Sequence, residues 1–143
     1  MVFHSKPDGF NHNFEVVSCF LEHSKDILLL QRQSHKTTPN VWGIPAGKVN
    51  HNEDLVEALY REIYEETQLE LSESKLKYFD TVFIIYPTIQ FVYHMYFYKL
   101  DRKPKIAINK EEHQDHMWTT PHKALDLELI PDEDYCIKYF YKI

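Results

Sequence analysis

The sequence predicts a mixed fold of the α/β or α+β class, with strands building a sheet around a central helix. Three observations carry that expectation. Segments 14–21 and 26–33 are dense in strand-forming residues. A stretch from about 53 to 68 is rich in helix formers and repeats its apolar residues at helical spacing. A second strand-rich block, 77–100, sets Ile89, Phe91, Tyr93, Met95 and Phe97 at alternate positions.

The elements follow in chain order. "FEVVSCFL" (14–21) and "DILLLQRQ" (26–33) are joined by the short polar segment "EHSK" and read as a hairpin. After a loop containing Pro39 and Asn40, "WGIPAGKV" leads into the helix, with Asn52 as N-cap and Glu53 and Asp54 in the electropositive first turn. "KYFDTVFIIY" and "IQFVYHMYFYKL" are two strands around Pro87 and Thr88. "IAIN" and "HMWTT" add short strands, and the segment after Pro131 forms a closing helix capped by Asp132. No repeat, low-complexity tract or linker divides the chain, so residues 1–143 read as one domain. That length supports a real core, and a chain 43% hydrophobic and 15% aromatic is not disordered.

Charge and composition exclude several roles. The net charge is −6 and no basic block is present, which argues against binding to bulk nucleic acid. The opening "MVFHSKPDGF" lacks a basic region followed by a long apolar segment, and apolar runs such as Val82–Tyr86 are too short to span a bilayer. The expectation is a soluble cytoplasmic protein without a membrane partner. Cys19 and Cys136 form no Cys-x-x-Cys pair and read as ordinary buried thiols.

The segment "REIYEETQL" poses the chemical question. Glu62, Glu65 and Glu66 stand three and four residues apart, where like charges cost an isolated helix roughly 0.2–0.5 kcal/mol per pair. They extend the stripe of Leu55, Ala58, Leu59 and Leu69, while Asp54, Glu57, Arg61 and Gln68 occupy the opposite arc. Either the carboxylates form a solvated acidic face, or they turn inward and need a cation. Two of the three glycines, Gly43 and Gly47, precede this helix with Pro45 between them. Glycine suits a tight turn or close approach of the backbone to a ligand, and proline stiffens the stretch.

Gly47, five residues, Glu53, seven residues, then Arg61 to Leu69 resembles the Nudix box, G-x5-E-x7-R-E-U-x-E-E-x-G-U, with U a bulky aliphatic residue. The flanks "ILLLQRQ", "VWGIPAGKV" and "EHQDHMW" resemble that family too, so the likeness runs from about residue 14 to 130. The resemblance implies an α/β/α sandwich with a mixed central sheet. It also implies a magnesium-dependent pyrophosphohydrolase, with manganese as a substitute metal, cleaving a diphosphate bond in a nucleoside triphosphate or other nucleoside diphosphate derivative. A hard divalent cation bridges carboxylate and phosphate oxygens that otherwise repel each other.

By the same resemblance Glu65 and Glu66 are metal ligands, the Ala46 carbonyl is a further ligand, and Glu62 is a ligand or the base. Glu53 and Arg61 orient them. Some relatives place the acting carboxylate on a later loop, and the spacing Glu112-His113-x4-Trp118 makes Glu112 the alternative base or ligand. Arg32 and Lys48 are candidate phosphate contacts. Tyr86 is a further candidate substrate contact, and its position 17 residues after Leu69 resembles the spacing of a downstream tyrosine in some dinucleoside polyphosphate hydrolases. ADP-ribose or dinucleoside polyphosphate hydrolysis, and a non-catalytic nucleotide-binding regulatory domain, are the alternatives. The expected partner is a small nucleotide, and a homodimer is allowed.

The box is not intact. Gln68 stands at its final glycine, where a left-handed helix end is expected, while Ala46, Asn50 and Asn52 replace other common residues.

Overall fold

The computed structural model describes residues 1–143. Its strands are β1 (Val2–Phe3), β2 (Phe14–His23), β3 (Asp26–Arg32), β4 (Trp42–Gly43), β5 (Ala46–Lys48), β6 (Lys77–Tyr86), β7 (Ile89–Lys99) and β8 (His113–Thr119). Its helices are α1 (Leu55–Thr67), α2 (Pro121–Ala124) and α3 (Glu133–Tyr141). The strands form one mixed eight-stranded sheet in which β2 and β7 run parallel and the other neighbours are antiparallel.

Alternation along the central strands sorts the core onto two faces. Phe20, Ile27, Leu29, Val82, Tyr93 and Met95 pack with Cys136 and Ile137 of α3. Val17, Cys19, Leu21, Leu28, Leu30, Tyr96 and Tyr98 pack with Ala58, Leu59 and Ile63 of α1. A sheet covered by helices on both faces needs apolar side chains at consecutive positions, and Ile27–Leu30 are all fully buried. The sandwich expected from the sequence is the one observed. Cys19 and Cys136 are both buried and unpaired. No helix is long and apolar enough to cross a membrane.

The expected hairpin exists, but its strands pair only at the tip, through Glu22↔Ile27 and His23↔Asp26. Beyond the tip β2 and β3 separate. β2 bonds to β5 through Val16, Val17 and Ser18, while β3 bonds to β4 through Leu30 and Gln31. The "GIPAG" segment therefore lies in the fork between two diverging central strands, and α1 packs directly against it. That fork positions the site.

Several boundaries differ from expectation for identifiable reasons. Asn52 has a left-handed φ of 63° and is not the N-cap, because a cap needs extended backbone. Asp54 has that backbone, and its side chain accepts a 2.8 Å hydrogen bond from the Glu57 N–H. Segment 106–109 is not a strand; it meets the end of α1 through one bond, Ala107 N–H to the Thr67 carbonyl at 3.2 Å. β8 begins at His113 rather than His116. Asp132 does precede α3, but its φ of 67° is left-handed and its side chain makes no capping bond. β1, of two residues, and α2, of four, carried no periodic signal.

Candidate active site

α1 presents its box residues to the fork because Ala58, Leu59 and Ile63 anchor the helix on the sheet with no exposed surface. Glu66 follows on that stripe and is 6% exposed. Its Oε1 accepts from the Ala46 N–H at 3.0 Å, tying the helix to β5. Gly47 is required beside it: a β-carbon there would overlap the Glu62 side chain. The absent side chain is the space that Glu62 occupies.

Arg61 is not on the solvent face that its helical position suggested. Its long side chain folds back over the acidic stripe. Nε donates to Glu53 Oε2 at 2.8 Å and Nη2 to Glu53 Oε1 at 2.9 Å, a bidentate pair. Nη1 donates to Glu62 Oε1 at 2.8 Å and reaches Glu65 at 3.3 Å, and Nη2 also donates to the Lys48 carbonyl at 2.9 Å. The Arg61 hydrogen bonds, joined by the Asn50 N–H, pull the Glu53 carboxyl down to about 2. One guanidinium thus answers three carboxylates.

Glu66 has no such partner. Burial raises its carboxyl well above the ordinary range, and the nearby charges of Glu62, Glu112 and Glu65 push the same way, against the Ala46 N–H. The nearest nitrogen base is His113, whose Nε2 lies 3.6 Å from Glu66 Oε2. Burial lowers that imidazole to about 4, so it is neutral at pH 7 and brings no countercharge. Its Nδ1 is sealed without a hydrogen-bond partner. Burial also raises Glu62, opposed by Arg61.

Glu62, Glu65, Glu66 and Glu112 line one cavity of about 440 Å³ together with Ala46, Lys48 and Arg32. The donor set is almost entirely oxygen, which matches a hard divalent cation. An ionised Glu66 without a positive neighbour is the group such an ion would satisfy. The side chains are not gathered into a ready cage, and no three His, Cys, Asp or Glu groups converge in ligand geometry. Glu62 and Glu65 face Arg61 instead, and Glu65 is half exposed. Glu112 is also half exposed, with Oε2 paired to Lys36 at 2.9 Å.

The candidate substrate residues have divergent surroundings. Arg32 lies at the cavity wall, but Nε and Nη2 donate to the Thr37 carbonyl at 3.0 and 2.8 Å, and Nε also reaches Thr38 at 3.2 Å. It clamps the β3–β4 loop. Lys48 is exposed, with Nζ 4.2 Å from the Phe14 ring centroid. Tyr86 is on the other side of the fork, its hydroxyl donating to Asp132 Oδ2 at 2.8 Å and to the Pro131 carbonyl at 3.1 Å.

Tyr86 borders a second cavity, about 390 Å³, which shares Val16, Arg32, Ile44, Ala46 and Ile130 with the acidic one. Its walls are mainly apolar, with Asp132 and Glu133 at the start of α3. Glu133 was not foreseen. In sequence it is one acid among several in "PDEDY", and only tertiary packing buries it.

Comparison with known proteins identifies the family to which this fold belongs. The NUDIX domain model matches residues 12–140. An RNA pyrophosphohydrolase of Histophilus somni is 34% identical over 71 residues, half of this chain and 34% of its own length. The chain thus spans about a third of that relative. The dihydroneopterin triphosphate diphosphatase of Haemophilus influenzae is 23% identical, over 91% of this chain and 87% of its own. The solved dihydroneopterin triphosphate pyrophosphohydrolase of E. coli superposes with a TM-score of 0.75 at 19% identity, covering 92% of this chain and 97% of that one. With the family model covering nearly the whole chain, and the box residues gathered in one fork, this chain belongs to the Nudix family.

Proposed function

We propose that residues 1–143 act as one unit that hydrolyses a diphosphate bond in a nucleoside triphosphate or related nucleoside diphosphate derivative, with water attacking phosphorus. The observation that carries this reading is Glu66, a buried carboxylate with three acidic neighbours and no cationic partner. Magnesium is the cation of choice, with manganese as substitute, and the substrate is a small nucleotide rather than bulk nucleic acid, in the cytoplasm.

Glu65, Glu66 and the Ala46 carbonyl hold the metal, with Glu112 available from the loop. When bound, the ion offsets negative charge growing on the leaving and non-bridging oxygens. Glu62 takes the proton from the attacking water. Gly47 leaves the space in which its carboxylate sits, and a 2.8 Å hydrogen bond from Arg61 fixes it there, as a positioned base requires. Glu53 fixes Arg61, and Arg61 in turn holds Glu62 and Glu65 in place.

The test is a panel of nucleoside triphosphates, a pterin triphosphate, ADP-ribose, dinucleoside polyphosphates and a 5′-triphosphorylated oligonucleotide, incubated with magnesium and analysed for products. Metal-dependent release of phosphate, pyrophosphate or a nucleoside monophosphate supports the reading. The second reading is a nucleotide-binding regulatory domain without turnover, favoured by the way Glu62 and Glu65 face Arg61 rather than each other. Binding across the panel without any product would establish that one instead.

A further inference from the structure

The apolar cavity beside the carboxylates has features that hydrolysis of a diphosphate bond does not use. Val16, Ile44, Ile84, Phe91, Tyr93 and Ile130 offer walls against which a flat ring can pack. Glu133 reaches into this space from the first turn of α3 and is 5% exposed. Its Oε1 accepts from the Ile44 N–H at 2.7 Å, and Gly43 leaves room for that contact, since a β-carbon there would lie 3.1 Å from Oε1 and overlap Ile130. Its Oε2 has no hydrogen bond and keeps some accessible surface.

Asp132 lies next to it on the same cavity wall. Its Oδ2 is engaged by the Tyr86 hydroxyl and approached by the amino terminus at 3.4 Å, leaving Oδ1 without a partner. An apolar slot thus carries two unfilled carboxylate acceptors. Burial holds the Glu133 carboxyl up at about 7, against the Ile44 N–H, because one donor does not compensate the lost hydration. Incoming donors would.

Acceptors of this kind discriminate among heterocycles. Guanine and pterins present a ring N–H beside an exocyclic amino group, two adjacent donors. Adenine and cytosine each place their amino group beside a ring nitrogen that accepts, and uracil flanks its one N–H with carbonyls. A lone pair facing a lone pair is repulsive, and a buried acceptor left unfilled keeps its desolvation cost.

We propose that this cavity selects a 2-amino-4-oxo-pyrimidine ring, the edge shared by guanine and pterins, and that Glu133 reads that edge with Asp132 as the second acceptor. The proposal rests on the acidic cavity being the polyphosphate site, since the two cavities share the wall from Val16 to Ile130.

The experiment measures calorimetric binding of GMP, IMP, AMP and neopterin monophosphate in magnesium buffer. These ligands hold no diphosphate bond, so binding is read independently of turnover. GMP is expected to bind about tenfold or more tightly than IMP, which lacks the amino group, and AMP more weakly still. The neopterin arm shows which ring is preferred, and either preference supports the proposal. In Glu133→Gln, Oε1 can still accept from Ile44 while a donor replaces Oε2, so the GMP advantage over IMP should fall to about twofold or less. AMP binding as tightly as GMP to the wild type would overturn the proposal, as would full GMP preference in a folded Glu133→Gln. Should that variant not fold, the ranking on the wild type decides. Absence of hydrolysis in the substrate panel would count against the catalytic reading alone.

Discussion

Gly47→Ala adds a single methyl group, and its effect should pass almost wholly through Glu62. The backbone at Gly47 is not left-handed, so glycine is needed there for space rather than for conformation. The new β-carbon would overlap Cγ, Cδ and Oε2 of Glu62, and those are its three nearest neighbours. The side chain must swing away and give up its 2.8 Å contact with Arg61. Arg61 keeps its bidentate pair with Glu53, and Glu62 and Arg61 are 15% and 27% exposed, so the lost ion pair should cost about 1 kcal/mol. For a domain of this size that lowers Tm by roughly 4 °C. Catalysis should suffer far more, because a displaced base costs about 10²-fold or more in turnover.

The decisive assay is a double-mutant cycle in kcat and Tm. Once Glu62→Ala has removed the atoms that clash, adding Gly47→Ala should reduce turnover by about twofold or less. Equal losses in both backgrounds, or wild-type turnover in Gly47→Ala alone, would refute the claim that this glycine exists to seat Glu62.

Gln68→Gly should hold or raise stability by up to about 1 kcal/mol: it relieves left-handed strain at φ 64°, partly offset by unfolded-state entropy and loss of an exposed 3.3 Å bond to the Tyr64 carbonyl. A lower Tm would contradict that account of the helix end. For the base, Glu62→Gln should remove the acidic limb of the pH–rate profile at saturating magnesium, whereas Glu112→Gln mainly raises the magnesium requirement; the reverse pattern would move the base to the loop. Glu133 should also leave a mark on stability. Its folded carboxyl is raised from 4.5 to about 7, so across that window the folded chain keeps a proton that the unfolded chain releases. Stability contributed by this group is therefore lost as pH rises through the window, by an amount on the order of 3 kcal/mol, and Glu133→Gln should flatten that slope in melts from pH 4.5 to pH 8. An unchanged slope would remove Glu133 from the account.

Local pattern made much of α1 legible. Of the stripe, Ala58, Leu59 and Glu66 are buried as their spacing predicts while Glu65 is half exposed, and Gln68 is left-handed at the position where the box has glycine. Arg61 was misplaced because a helical wheel locates Cβ, while the guanidinium acts several bonds away, where Glu53, Glu62 and Glu65 gather around it. Asn52 and Asp54 both suit an N-cap, and only backbone angles separate them. The parting of β2 from β3 is written in their other partners, β5, β7, β4 and β8, none adjacent to that hairpin in sequence except β4. The apolar cavity was illegible for the same reason: Val16, the facing pair Ile84 and Phe91 of the β6–β7 hairpin, and Glu133 come from three distant segments and become a wall only in the fold.

The central claim is that the crowded glutamates of α1 exist to hold a divalent cation, and the most direct measurement is manganese binding to substrate-free protein, followed by the resonance of the free ion. Wild type, Glu65→Gln and Glu66→Gln should be compared alongside their metal-free melts. Each substitution is expected to weaken binding by at least about tenfold. Glu66→Gln should also hold or raise the metal-free Tm, because an amide still accepts from the Ala46 N–H without burying a charge. Manganese affinity unchanged in a folded Glu66→Gln would contradict the account.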